Sequence, residues 1–237
     1  MIQVLSTSTS RPFGSGDGHY AGGVSDLSNF AAVLPAPGVL RERLRVLVAL
    51  EAAFGSPWAR YAFDGVDESG FERFRFENGG GDDYHVFLGP SSVFLRAFDH
   101  ESWMSPYTEY ALCPGLLDGL PEDFVPFTRL PQDEETFPAL TLALWHDGIA
   151  WRHGDPRPQD EGKPELTDWM LRPLVYFTPA ALADHFGSYY SRPVDIETLE
   201  AVMGGAAFDR ALVERLASKT VWEPVEELLS RLDAPAS

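Results

Sequence analysis

Cysteine occurs once in the 237 residues, at Cys113, so no internal disulfide can form and a disulfide-stapled scaffold is excluded. The flanking Ala111-Leu112-Cys113-Pro114-Gly115 stretch holds no Lys or Arg to stabilise a thiolate. Such a residue reads as a buried, inert thiol, and its isolation fits a reducing cytoplasm. Basic residues are also scarce: 18 Lys+Arg stand against 36 Asp+Glu, a net charge of −18. Nucleic acid is held chiefly by cations that neutralise its phosphates, so no nucleic-acid partner is expected. Anionic membrane surfaces are disfavoured for the same reason. No apolar run approaches the roughly 20 residues that cross a bilayer. Met1 to Ser10 has no basic residues ahead of its short apolar stretch, so no signal peptide is expected and the cytoplasm follows by elimination.

Catalytic signatures are missing as well. The chain has no glycine-flanked serine elbow and no Ser-x-x-Lys pair. Residues 6 to 23 are rich in Ser, Thr and Gly, but no helix and lysine follow at phosphate-loop spacing, so they read as an irregular arm. Asp133-Glu134-Glu135 and the loop from Asp155 to Glu161 lack calcium-loop spacing and read as solvated surface. No cofactor and no metal are expected.

What the chain does have is a core. Its apolar content is 44%, with 16 Phe, 8 Tyr and 6 Trp, enough large side chains to pack an interior. Leu40, Leu44, Leu47, Leu50 and Phe54 recur at helical steps and predict a helix from Val39 to Phe54, stopped by Gly55 and Pro57. Three strand-like runs follow, around Phe74 and Phe76, from Tyr84 to Leu88 and from Ser92 to Asp99. Their short turns, Asn78-Gly79-Gly80-Gly81-Asp82 and Gly89-Pro90, predict an antiparallel meander. Pro106 to Thr136 is a long, proline-punctuated connection, of the kind that is functional or wrapped on the surface. Phe137 to His146 predicts a further strand, and Asp147-Gly148 a two-residue hairpin turn into Ile149 to His153.

After residue 160 the pattern turns helical. Thr178-Pro179 opens a helix toward Tyr190, and Asp195 caps another that carries Ile196, Leu199 and Met203 and closes at Gly204. Phe208, Leu212 and Leu216 mark a third helix, and Pro224 to Leu232 a fourth. The expected fold is one α+β domain, with an antiparallel sheet of meander plus hairpin, an N-terminal helix and a helical C-terminal third. Residues 1 to 24 form its arm, 25 to 160 its sheet-containing part and 161 to 237 its helical part.

The densest polar group is Asp99-His100-Glu101-Ser102, where a strand ends and the long connection begins; sites collect at such places. If the strand persists, Asp99 and Glu101 share a face, roughly 7 Å apart, and His100 points away from both. The same residues can also cap a turn and bind local amides. Asp99, His100 and Glu101 are therefore the catalytic candidates, weighed against a structural role. His146 and His153 resemble a metal pair, but a two-residue hairpin would set them four strand positions, or roughly 13 Å, apart, too far for one zinc ion. Trp145 and Trp151 should fall on opposite faces, one in the core and the other either packed as well, the default for a strand tryptophan, or facing solvent as a contact surface.

The segments Asn78-Gly79-Gly80-Gly81, Ala97 to Tyr107, Pro114-Gly115 and Leu120-Pro121, with Trp145, Trp151 and Tyr189-Tyr190, resemble a family of conserved bacterial proteins of unknown function. The resemblance spans roughly residues 70 to 190 and carries no activity. It implies that the loop opening at Asp99 is the distinctive feature of the fold. Asp99, His100, Glu101, Ser102, Trp103, Ser105 and Tyr107, together with Trp151, are accordingly the binding candidates. Two functions are compatible with these residues. One is a non-catalytic protein of inhibitor or immunity type that binds a basic protein, since excess acid steers basic partners as well as aiding solubility. The other is a hydrolase-like enzyme built on Asp99, His100 and Glu101, with or without a metal.

Overall fold

A computed structural model describes residues 27–133, 137–157, 169–216 and 222–233. The Ser/Thr/Gly-rich arm and most of the loop after Asp155 lie outside them. Two helices come first, α1 (Leu27–Val33) and α2 (Pro37–Phe54). In α2 the leucine spacing turns Leu40, Leu44, Leu47 and Leu50 to one face, and all four are buried. Pro37 opens this helix at its first turn and Gly55, at φ 65°, closes it.

Six strands follow in chain order: β1 (Tyr61–Val66), β2 (Glu72–Glu77), β3 (Asp83–Leu88), β4 (Val93–Phe98), β5 (Leu142–His146) and β6 (Trp151–His153). They pair β1-β2-β3-β4-β5-β6, each antiparallel to the next. The predicted meander is present, and one strand more than the pattern predicts. The extra strand is β1, whose Tyr61-Ala62-Phe63 alternation breaks at Asp64-Gly65, where the pairing register shifts. Between β4 and β5 lies α3 (Pro106–Glu109). The C-terminal helices are α4 (Arg172–Val175), α5 (Pro179–Tyr190), α6 (Ile196–Met203), α7 (Arg210–Leu216) and α8 (Trp222–Asp233). Thr178 Oγ1 accepts the Ala181 amide at 3.2 Å and Asp195 Oδ2 accepts that of Thr198 at 3.2 Å, which are the two predicted caps. No helix of the described residues is long and apolar enough to cross a membrane.

The pleat divides the sheet into two buried faces. Tyr61, Phe74, Tyr84, Val86, Leu95 and Leu144 point to the helices and join a cluster that runs from Leu27 to Leu232. Phe87, Phe94, Ala143 and Trp145 point the other way, onto Met104, Cys113, Leu116, Phe124, Leu130 and Leu140 of the β4–β5 connection. That long connection is therefore the second wall of the core, and burying each of its large side chains is worth about 1.5–3 kcal/mol. Its docking depends on two glycines. Asp155 and Arg157 donate their amides to Gly115 O and Pro114 O, both at 2.8 Å. At that approach a Cβ on Gly115 would fall 1.9 Å from Asp155 O, and one on Gly154 would fall 2.3 Å from Gly115 O.

Two expectations are corrected here. The β5–β6 turn has four residues, not two, because Asp147 Oδ1 accepts the amides of both Ile149 and Ala150 at 2.9 Å and draws them into the turn. His146 thus pairs with Trp151 and His153 with Leu144, so the two histidines share a face only two positions apart, not four. Trp145 and Trp151 do take opposite faces: Trp145 is buried, and Trp151 is half-buried with its indole N–H donated to Pro35 O at 2.9 Å. Asp133 is not solvated surface. It is sealed under the β4–β5 connection, where its carboxylate meets the fully buried Arg96. Glu134 and Glu135 lie outside the described residues.

Candidate functional site

The register that pairs Asp83 with Phe98 sets Asp82 and Asp99 side by side at one end of the sheet. The glycine turn before β3 aims the first of them. Asn78 Oδ1 accepts the amides of Gly80 and Asp82 at 2.6 and 3.1 Å, and Asn78 Nδ2 donates to Asp82 Oδ2 at 2.5 Å. Held this way, Asp82 Oδ1 accepts both the His100 amide, at 2.9 Å, and His100 Nδ1, at 2.6 Å. Asp82 is buried while the imidazole it holds stays half-exposed. The hydrogen bond to Asp82, and then its charge, push the His100 imidazole above its ordinary value, helped by Glu101 and Asp99.

The strand does not persist past Phe98. The chain turns at Asp99, where the Ser102 amide bonds to Asp99 O at 3.2 Å, so the alternation expected for Asp99, His100 and Glu101 does not apply. The turn brings His100 toward Asp99 instead of away from it. Asp99 Oδ1 accepts the local Glu101 amide at 3.0 Å, and Asp99 Oδ2 accepts Trp169 Nε1 at 3.1 Å. Glu101 is free in solvent, its nearest oxygen 3.9 Å from His100 Nε2. Asp82, Asp99 and His100 each offer a metal-ligating atom, all within 4.8 Å of one another, and are the one such group among the described residues. A metal bound through Nδ1 would have to displace the proton that His100 shares with Asp82. What the arrangement does without one is hold an imidazole in a fixed tautomer with Nε2 outward, able to donate or, once deprotonated, to accept a proton.

Beyond the turn, the candidates separate by exposure. Ser102 and Ser105 are buried; Ser102 Oγ accepts the Met104 amide at 3.2 Å, so neither hydroxyl belongs to the surface. Trp103 and Tyr107 are 56% and 45% exposed, and Tyr107 stands edge-on to Phe98 and Phe137. Trp103 and Glu109 share a dimple of about 30 Å³, room for a water or two. Trp151 lies elsewhere, on the cleft between α1 and the β5–β6 turn.

Three residues of this rim escaped the sequence. Asp82 reads as a turn residue, although its spacing from Asn78 is that of a side chain tied across a loop. Tyr110, 79% exposed and at φ 53°, ends α3. Trp169, 41% exposed, reaches Asp99 across 70 positions of chain, a contact that no local pattern announces. Compared with known protein families, curated proteins and solved structures, the chain matches none.

Proposed function

We propose that this protein binds another protein, as inhibitor or immunity proteins do, and that its rim from Glu101 to Tyr110 receives a basic partner. The observation that carries this reading is the exposure of Trp103, Tyr107, Tyr110 and Trp169 beside the solvent-facing carboxylates of Glu101 and Glu109. Exposed Trp and Tyr supply the anchors of protein interfaces, where a few such residues carry most of the binding energy. Carboxylates around them, on a chain of net charge −18, steer a cationic surface into contact and repel anionic ones.

The test starts with the partner retained from host extract at low salt, purified and titrated against the protein. Trp103→Ala should weaken binding at least tenfold, which is about 1.4 kcal/mol. Glu101→Lys should slow association, with the difference vanishing at high salt. Binding that ignores both substitutions and the salt concentration would remove the rim from the reading.

A hydrolytic use of the same turn has one observation in its favour, the buried Asp82 that orients His100. In that case His100→Gln should abolish turnover while leaving partner binding within twofold. Turnover that survives His100→Gln would end that alternative.

A further inference from the structure

A second site lies away from the rim, in a cleft of about 460 Å³ between α1 and the β5–β6 hairpin. Ser28, on α1, places Oγ 3.1 Å from His153 Nε2. His153 Nδ1 lies 2.5 Å from the carbonyl oxygen of Gly154. A carbonyl can only accept, so Nδ1 carries the proton, and in the neutral ring Nε2 is left with a lone pair that accepts the Ser28 hydroxyl. Nucleophile, base and orienting acceptor thus stand in sequence, the arrangement that activates a serine.

His146 completes the cleft. It stands on the same face of the sheet as His153 and lines the same space. Its Nδ1 accepts the Gly148 amide at 3.1 Å, which makes Nε2 the protonated nitrogen of the neutral ring and a hydrogen-bond donor. The hairpin register is what brings the two histidines to one cleft, and their hydrogen bonds give them opposite tautomers, one to accept a proton and one to donate a hydrogen bond. The remaining walls are apolar, among them Ala31, Leu34, Ile149 and Trp151.

We infer that this cleft is an acyl-transfer site for small carboxylic esters, with Ser28 as nucleophile, His153 as general base and His146 as donor to the developing oxyanion. Ser28 Oγ attacks the ester carbonyl carbon as its proton passes to His153 Nε2. The carbonyl electron pair moves to oxygen, where His146 Nε2–H stabilises it. The bond to the alcohol then breaks, and the alcohol leaves with the proton from His153. Water adds to the acyl-serine through the same base, the Ser28 ester bond breaks, and the carboxylic acid is released. No redox change occurs, and water is the only co-reactant. The apolar walls select a short acyl chain.

The experiment uses the intact chain with an alkyl fluorophosphonate and with 4-nitrophenyl butyrate. The fluorophosphonate should attach to Ser28, located by peptide mass spectrometry, and Ser28→Ala should lose both label and turnover. His153→Gln should slow labelling about 100-fold, and His146→Phe should slow it by a similar factor. Far-UV circular dichroism of each variant establishes that it is folded. A purely structural Ser28–His153 contact would not make the labelling rate depend on the His153 imidazole. Wild-type protein that carries no label at Ser28, or ester hydrolysis unchanged in folded Ser28→Ala, overturns the proposal. So does a labelling rate that ignores both histidines.

Discussion

Arg96, on β4, lies 3.2 Å from Asp133 in the β4–β5 connection, and both side chains are sealed from water. The same guanidinium donates to Thr128 O at 3.1 Å and to Ala139 O. One strand residue therefore fastens the connection at three points. Burial pulls the guanidinium below its ordinary value, and Asp133 and Asp83 oppose that pull. Asp133→Ala would leave the cation buried and unpaired, at an expected cost of about 3–5 kcal/mol in urea unfolding. The double replacement Arg96→Met with Asp133→Leu should recover most of that loss. A single-variant loss below about 1 kcal/mol would mean that the pair does not hold the connection.

Asp83 and His85, neighbours on β3, lie 3.5 Å apart beneath the same connection. Burial, opposed by Arg96, raises the Asp83 carboxyl to about 7, while burial and the cations Arg96, Arg75 and Arg73 lower His85 to about 3. The Asp83 contribution is complete below the ordinary carboxylate value near 3.9 and is lost as pH rises through about 7. The His85 contribution runs oppositely: it is complete above the ordinary imidazole value near 6.5 and is lost as pH falls toward about 3. Between roughly pH 4 and 6.5 the two slopes oppose each other. Asp83→Asn should uncover the His85 slope, so that stability climbs with pH across that window. Urea midpoints measured from pH 4 to 8 decide this, and superimposable profiles for variant and wild type would refute the assignment.

For His100 the expected signature is spectroscopic. Its folded-state value is raised by Asp82, so its contribution to stability is complete below about pH 6.5 and is lost as pH rises through the raised value. Nuclear magnetic resonance titration should find the His100 midpoint above that of an unstructured histidine, and Asp82→Asn should move it down. An unmoved midpoint would show that the two side chains are not coupled in solution.

How much of this was legible beforehand differs between fold and site. Leu40 to Phe54, the Phe74–Phe76 alternation and the Thr178 and Asp195 caps are local patterns. Local backbone chemistry sets them, and they appear where expected. In the β5–β6 turn, an Asp-Gly pair marks a turn but not its length; Asp147 settles the length by binding two amides further on. The acidic run at Asp133 looks solvated in sequence because the cation that claims this one member, Arg96, is distant along the chain. At the rim, Asp99 and His100 were named from their density and position. Their true partners, Trp169 and Asp82, belong to segments that meet only in the fold.

The amino-acid order alone determined the helices α2, α5, α6, α7 and α8, the strands β2 to β6, the excess of acid and the absence of an internal disulfide, since each depends on neighbours within a few residues or on totals. Only tertiary structure decided which acids are buried, which aromatics face solvent, and that Ser28 meets His153 across 125 positions of chain. Those outcomes rest on contacts between remote segments, where the register of one hairpin or the reach of one buried arginine chooses among arrangements that local preference leaves equal.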